Sequence, residues 1–363
     1  MKYRIILSIS LILIFFSCSK TNNDISQTTL EIPYESHNNF IMLSKYFKTI
    51  TFLPLETNKE SIIGSIKKLK IINNRIYIFD NIGNSILVFN SHGQFEKKLS
   101  SMGSGPDEYI SISDFDVENN NLYIMDISGK ILHFKNDVYV NSIKIDFTAT
   151  DFWITKGGFI FKILEFENES GQFIATSKDL KIKNKLLPIS EPNSKKFKFN
   201  YGFSNNFAIN NSKTYFSQNF SSSIYELDDE EFTFKHKYVL DFGSKGLPEN
   251  DNVNNYDMLS PDFKFLVRNN FYFHKNYIVL DYFHNKVRRI DWIDTSKNIH
   301  NVGIPKNDIN EIPFIPNWGF NDGLVGFMNA EQLINEEDLM KNVKIKNIKT
   351  GDNAILMIYT YKD

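Results

Sequence analysis

A strand-and-turn unit recurs along this chain and constrains the fold more than any other feature of the sequence. Asn73 to Asp80 (NNRIYIFD) and Asn119 to Asp126 (NNNLYIMD) align with an offset of 46 residues. In both, an Asn-rich turn precedes an apolar strand, a polar or glycine turn follows, and a second strand begins. Units of four short strands every ~40 to 50 residues are typical of β-propeller blades.

Weaker copies of this unit continue toward the C-terminus and predict five internal blades. Their approximate bounds are 61–100, 111–146, 149–190, 204–242 and 264–304. The sixth blade is expected to be split, and its strands are Gly323 to Met328, Val343 to Ile348, Ala354 to Tyr361 and the N-terminal Phe47 to Leu55. Pairing the two chain ends would close the ring and remove its open sheet edges. Asn329 to Met340 is predicted to be a helical excursion within that blade.

The residue types agree with an all-β six-bladed β-propeller. The chain has 43 Asn, 5 Ala, 33 Phe and 17 Tyr, a composition that favours strands and turns over helices. In Ile76 to Phe79 both alternating faces of the strand are apolar, which predicts a sheet covered on both sides. Stacked propeller blades bury both faces without helices between the strands.

The first residues resemble a bacterial lipoprotein signal. Lys2 and Arg4 precede an apolar run, Ile5 to Phe16, that is too short to span a bilayer and ends at Ser17-Cys18. We expect residues 1–17 to be the signal peptide, 18–36 a polar tether and 37–363 a single propeller domain. Lipidation of Cys18 would anchor the chain to the outer membrane. Surface-exported lipoproteins of the Bacteroidetes resemble one another in carrying acidic residues just after this cysteine; here the first acid is Asp24, which favours the periplasmic side over the cell surface. The alternative is an ordinary signal peptide.

Charge and cysteine content exclude several classes of function. A formal net charge of −2, from 41 basic and 43 acidic side chains, gives no field that would attract nucleic acid. Cys18 is the single cysteine, so the mature chain has no disulfide, thiol nucleophile or cysteine zinc site. Contact with the membrane is expected through the N-terminal lipid only.

Two motifs resemble those of a known family. Phe52 to Thr57 (FLPLET) and Gly103 to Tyr109 (GSGPDEY) are similar, in the same order, to the "PLET" and "GxGPGEY" segments of the six-bladed β-propeller lipoproteins of Bacteroidetes. Asn73 to Phe95 also resembles the NHL repeat. The resemblance implies a secreted, lipid-anchored, NHL-like propeller, and it implies no particular activity.

Catalytic and metal-binding patterns were sought along the whole sequence. It contains no Gly-x-Ser-x-Gly and no His-Glu-x-x-His. His274 and His284 flank one hairpin and could approach each other, but no third zinc ligand is evident. Asp80, Asp126 and Asp281 recur at equivalent positions and are expected to cap turns, the alternative being a carboxylate ring that binds a cation in the channel. We therefore predict no cofactor and no metal.

Glu108, Tyr109 and Trp318 are the candidate binding residues. Gly103 to Tyr109 joins blades one and two, so Glu108 and Tyr109 either shape this crossover or border a site at the channel mouth. Trp318 is predicted to lie in a Pro/Gly-rich loop rather than a strand. It is expected to be the most exposed of three tryptophans, with Trp153 and Trp292, that could cover the apolar face of a sugar.

These features predict a binding module of the cell envelope. A partner protein, a peptide or a glycan would dock at the channel face of the ring. The alternatives are a hydrolase or lyase that uses channel-facing carboxylates, with or without a bound cation, and a purely structural role.

Overall fold

The computed structural model describes residues 27–33, 39–163, 173–186, 207–217, 221–246, 267–284, 287–335, 345 and 348–362. Within these ranges the strands form six small sheets, each built around four antiparallel strands. The sheets are the blades of a six-bladed β-propeller, as the repeat predicts. The described part of the chain contains no helix long and apolar enough to cross a membrane.

Blades 1 to 3 follow the chain in order, each with its first strand innermost. The strands of blade 1 are β4 (Ile66–Ile72), β5 (Arg75–Asp80), β6 (Ser85–Asn90) and β7 (Phe95–Leu99). Those of blade 2 are β8 (Ile112–Glu118), β9 (Asn121–Asp126), β10 (Lys130–Lys135) and β11 (Val138–Lys144). Those of blade 3 are β12 (Ala149–Ile154), β13 (Gly158–Ile163), β14 (Phe173–Ser177) and β15 (Ile182–Leu186).

Blades 4 to 6 each include a strand from the N-terminal part of the chain. Blade 4 contains β16 (Phe207–Asn210), β17 (Lys213–Phe216), β18 (Ser223–Asp228), β19 (Thr233–Asp241) and β1 (Thr28–Glu31). Blade 5 contains β20 (Val267–His274), β21 (Tyr277–His284), β22 (Val287–Asp294), β23 (Ile299–Lys306) and β2 (Phe40–Met42). Blade 6 contains β24 (Trp318–Phe320), β25 (Gly323–Met328), β26 (Ile355–Tyr361) and β3 (Phe47–Pro54).

The ring closes as predicted, because β3 pairs antiparallel with the C-terminal strand β26. The innermost strand of this blade is β24, which was not predicted from the sequence. The predicted strand Val343 to Ile348 lies, apart from Ile345 and Ile348, outside the described residues. β24 has three residues, with Pro316 just before it and Gly319 inside it, so its sequence resembles a loop. The helix α1 (Ala330–Asn335) lies between β25 and β26, inside the predicted excursion.

Part of the segment predicted to be a tether is instead a strand of the propeller. β1 pairs parallel with β19, with Leu30 opposite Leu240, and the Ile32 amide donates to Asp241 O at 2.8 Å. Leu30 and Ile32 are buried. A tether reaching residue 36 is therefore wrong from Thr28 onward, because these alternating aliphatic side chains fill the edge of blade 4. Next along the chain, β2 pairs parallel with the outer strand of blade 5.

Neighbouring blades are joined by hydrophobic clusters. Ile76 and Ile78 on one face of β5 pack toward blade 6, whereas Tyr77 and Phe79 on the other face pack toward blade 2. This packing explains the strand with two apolar faces. The turns follow the prediction as well: Asn73 and Asn74 adopt φ of 50° and 59°, the left-handed conformation that a two-residue hairpin turn requires.

Candidate functional site

The axis of the propeller contains a cavity of about 470 Å³. Its lining includes residues from the innermost strand of every blade: β4, β8, β12, β16, β20 and β24. This volume lies within the range of small-molecule sites. The wall is divided by chemistry, because blades 1 to 3 supply its charged residues and blades 3 to 6 supply its aromatic residues.

The charged half depends on bulges at matching positions of three innermost strands. The strand register shifts between Ile66 and Lys68, between Ile112 and Asp114, and between Ala149 and Asp151. A bulge re-aims the side chains beside it. As a result Lys68, Asp114 and Asp151 all reach the cavity wall.

Lys68 and Asp114 form a buried ion pair that links three blades. Lys68 Nζ lies 2.8 Å from Asp114 Oδ2, with side-chain exposures of 14% and 2%. The same carboxylate oxygen accepts the Phe152 amide of blade 3 at 2.9 Å. Asp114 therefore satisfies a backbone donor on the open inner edge of β12 while it neutralises Lys68.

A second ion pair repeats this arrangement two residues further along the strands. Lys70 Nζ lies 2.9 Å from Asp116 Oδ1, and Asp116 Oδ2 accepts the Ile154 amide at 2.9 Å. The two layers form a ladder across the inner edges of blades 1 to 3. This ladder replaces the hydrogen bonds that a further strand would make there.

Burial and pairing shift the pKa values of these groups in different directions. Burial raises the pKa of Asp114 to about 6, against the opposing effect of Lys68. Burial also acts to raise the pKa of Asp116, but Lys70 and Lys68 outweigh it and the pKa lies below its ordinary value. Burial acts to lower the pKa of Lys68, yet the facing carboxylates leave it raised, so Lys68 stays charged at neutral pH.

Three half-buried rings in the aromatic half of the wall are each stacked on a second ring. Trp153 stacks on Phe207 with centroids 4.0 Å apart, and Phe273 stacks on Tyr215 at 4.1 Å. Trp318 stacks on Phe327 at 6.0 Å and 17°. These second rings fix the orientation of the lining rings, so the aromatic surface is preformed.

Two of the three tryptophans line this cavity. Trp318 and Trp153 are half-buried in its wall. Trp318 begins β24, so the prediction that it sits in a loop is wrong. Trp292 is buried between blades 5 and 6, where it stacks on Tyr46 at 4.0 Å.

Glu108 and Tyr109 lie in the blade 1 to blade 2 connection, outside the cavity lining. Tyr109 is buried, and its hydroxyl donates to Asn84 O at 2.8 Å. Glu108 Oε2 accepts the Gly105 amide at 2.7 Å. Lys130 Nζ donates to the carbonyl oxygens of Gly105 and Glu108. Each of these contacts shapes the crossover.

The recurrent aspartates divide into two kinds, and none of them lines the cavity. Asp80 accepts the Ser65 and Ile82 amides, and Asp126 accepts the Ile110 and Ser128 amides, as predicted for turn caps. Asp281 forms a buried bidentate ion pair with Arg288 at 2.9 and 2.6 Å. Its role as a turn cap stays a prediction, because residues 247–266, which precede the first strand of its blade, lie outside the described residues.

His274 ends β20 and His284 ends β21, so the two histidines lie at opposite ends of this hairpin. The register places His274 opposite Tyr277 and His284 opposite Val287. These positions are about 23 Å apart at ~3.3 Å per residue, so the expectation that they could approach each other is wrong. Among the described residues, no three His, Cys, Asp or Glu side chains are grouped as a metal site would require. Cys18 lies outside the described residues.

The lysines and aspartates of the channel were not predicted from the sequence. Their signal is the segment before the first turn of each blade, where IKKLK (66–70), SDFDV (113–117) and TDFWI (150–154) place charges within apolar strands. Charges at such positions point to the innermost strand of a blade, because that strand supplies most of the channel wall.

Comparison with known proteins gives a family and a fold. The model of a domain of unknown function, DUF4934, matches residues 28–360. The chain belongs to the DUF4934 family. No protein of curated function matches it.

Solved structures show the same fold at low sequence identity. An inferred exported protein of Bacteroides fragilis is similar with a TM-score of 0.68 and 17% identity, covering 93% of this chain and 100% of that one. A DUF4221 member from Bacteroides vulgatus is similar with a TM-score of 0.50 and 9% identity, covering 87% of this chain and 97% of that one. At these identities the likeness concerns architecture alone.

Proposed function

We propose that this DUF4934 protein is a ligand-binding module of the cell envelope and that its ligand occupies the central channel. The observation that carries this proposal is the preformed wall, in which stacked aromatic rings face a ladder of neutralised charges across a cavity of about 470 Å³. A rigid, partly apolar concavity with a few fixed polar groups is the usual form of a binding site.

The contacts of two of the three carboxylates in the channel lining favour binding over the hydrolase or lyase alternative. Asp114 and Asp116 each hold a lysine and a backbone amide. A general acid or base must exchange its proton with a substrate. A carboxylate that joins three blades would lose those contacts in doing so.

Export and lipid anchoring form the second part of the proposal. The apolar run ending at Ser17-Cys18 supports them, as does the resemblance to Bacteroidetes lipoproteins. With Cys18 lipidated, nine residues would separate it from β1. Nine residues span at most about 32 Å, so the outer edge of blade 4 would stay close to the membrane, on the side that faces the periplasm.

Gly319 has room for a Cβ in the channel wall, so a larger side chain at this position gives a direct experiment. A Cβ at Gly319 would meet Tyr272 Cδ1 at 3.4 Å, an ordinary contact, and the residue is exposed in the channel wall. Gly246 has a similar clearance of 3.4 Å and lies outside the cavity lining, so Gly246→Leu is the matched control.

Immobilised full-length protein would be incubated with solubilised envelope, and the retained proteins, peptides and glycans would be compared by mass spectrometry. We expect Gly319→Leu to lose a component that the parent and Gly246→Leu both retain. Equal retention by all three proteins would contradict a channel site.

A further inference from the structure

The polar half of the channel is built from opposite charges that already face each other. Lys68 is paired with Asp114 and Lys70 with Asp116. A third couple, Asp151 and Lys162, occupies directly opposed positions of β12 and β13. At these positions a charged ligand would have to displace a partner to find a counter-ion, whereas a neutral ligand finds donors and acceptors side by side. Lys67, the remaining cation of the lining, donates to Ser113 O at 2.8 Å.

The aromatic half provides flat apolar surface at fixed orientations. Trp153, Phe273 and Trp318 are distributed over blades 3, 5 and 6, and each is supported by a stacked ring. Aromatic rings held in place bind with a smaller loss of conformational entropy than mobile ones. Thr214 and Asn321 add hydroxyl and amide groups to the same wall.

We propose that the channel ligand is a neutral saccharide. One face of a pyranose ring carries C–H groups that fit a flat aromatic side chain. Each of its hydroxyl groups can both donate and accept a hydrogen bond. The sugar can therefore bind the lysine donors and the aspartate acceptors that alternate along the opposite wall. This inference rests on the proposed function, since it takes the channel as the ligand site and assigns the chemistry of its occupant.

Calorimetric titration with defined sugars tests the inference. The full-length protein, in a detergent without a sugar headgroup, would be titrated with cellotriose, maltotriose, mannotriose and chitotriose. Trigalacturonate serves as the charged counterpart of similar size. We expect at least one neutral trisaccharide to bind saturably, and trigalacturonate to bind at least about tenfold more weakly.

Ring variants assign the binding to the channel. Trp318→Ala should weaken the affinity for the sugar by about tenfold or more, and Trp318→Phe, which keeps a flat ring, should recover most of it. Phe40 is 56% exposed on the outer edge of blade 5, so Phe40→Ala is the matched control and should leave the affinity unchanged. Unchanged melting temperatures would show that both tryptophan variants fold.

Three results would overturn the inference. The first is that no neutral trisaccharide binds at concentrations up to about 10 mM. The second is that trigalacturonate binds as tightly as the best neutral sugar. The third is that Trp318→Ala binds the sugar with the affinity of the parent protein. If Gly319→Leu abolishes retention of an envelope component while no sugar binds, the saccharide assignment fails and the channel site stands. If a sugar binds Gly319→Leu and Trp318→Ala as tightly as it binds the parent protein, both proposals fail.

Discussion

Lys68 of blade 1 and Asp114 of blade 2 are joined at 2.8 Å beside the propeller axis, and the contact extends to the Phe152 amide of blade 3. The first strand of a blade has an unpaired inner edge, whose donors and acceptors need partners. On this side of the ring the partners are side chains. The same contacts stabilise the ring and set the polarity of half of the channel.

Loss of Lys68 should cost much more stability than loss of a surface lysine. In Lys68→Met the Asp114 carboxylate stays buried without its cation. Breaking such a pair typically lowers the free energy of unfolding by about 3–5 kcal/mol. Protonation of Asp114 will reduce this loss. Lys178→Met removes an exposed ion pair, because the side chains of Lys178 and Glu118 are 40% and 39% exposed. This variant should lower the free energy of unfolding by less than about 1 kcal/mol. Urea unfolding at pH 7 measures both.

A double variant separates charge burial from lost packing. In Lys68→Met/Asp114→Asn the side chain at 114 still presents an oxygen to the Phe152 amide, and no buried charge is unpaired. We expect it to recover most of the stability lost in Lys68→Met. Equal losses for Lys68→Met and Lys178→Met would show that the ladder does not stabilise the fold.

The Asp114 carboxyl should titrate near pH 6, where its carbon chemical shift would report it. Asp151 raises the pKa of Asp114 and Lys68 lowers it. Asp151→Asn should therefore move the midpoint below 6, and Lys68→Met should move it above 6. Because the folded-state pKa exceeds the unfolded value of about 4, this group stabilises the fold most below pH 4 and loses that contribution as pH rises through 6. A midpoint near 4 in the parent would contradict the burial of this group.

Removal of residues 1–36 should destabilise the propeller, whereas removal of residues 1–26 should not. The longer truncation deletes β1 together with the buried Leu30 and Ile32, and it exposes the edge of β19. The shorter one leaves every described contact in place. Leu30→Ala in the full chain should cost about 2–5 kcal/mol. Equal melting temperatures for the two truncations would show that β1 adds nothing to blade 4.

Gly103 is needed for space rather than for backbone conformation. Its Cβ would lie 2.1 Å from Glu108 Oε2, whereas a Cβ at Gly105 would lie 3.0 Å from the same atom. Neither glycine adopts a positive φ. Gly103→Ala should therefore destabilise the fold more than Gly105→Ala, as measured by thermal unfolding.

The cost of Gly103→Ala should shrink in a Glu108→Ala background, because the clashing carboxylate is then absent. A double-mutant cycle measures this coupling. Additive effects of Gly103→Ala and Glu108→Ala would mean that Glu108 is not the group that Gly103 accommodates.

The sequence predicted the ring better than the site, for a physical reason. Blade packing is local and periodic, so strands such as Ile76 to Phe79 reveal their two buried faces directly. β1 was missed because four residues of one added strand contain too little alternation to stand out. The channel groups were missed because Lys68, Asp114 and Phe152 come from three blades, and only the closed ring brings them together.

Trp318 was predicted to be a binding residue because it was expected to lie in an exposed loop. It lies in a strand, and that strand forms part of the channel wall. Its Pro/Gly-rich neighbourhood indicated a loop, but these residues reflect a three-residue innermost strand. Glu108 and Tyr109 stood out through a motif whose contacts shape the crossover. Residue type identified these positions, while their roles depend on the ring geometry.

Site-specific photocrosslinking in the intact envelope tests the channel site most directly. Phe320 is half-buried in the channel wall, and benzoylphenylalanine at this position keeps the phenylalanine ring and adds the crosslinking benzoyl group. The control position is Val138, which is 68% exposed on the edge strand of blade 2. After irradiation, we predict a discrete adduct from position 320 that Gly319→Leu abolishes, and none from position 138. Adducts at 138 alone, or an adduct at 320 that persists in Gly319→Leu, would contradict a ligand in the channel.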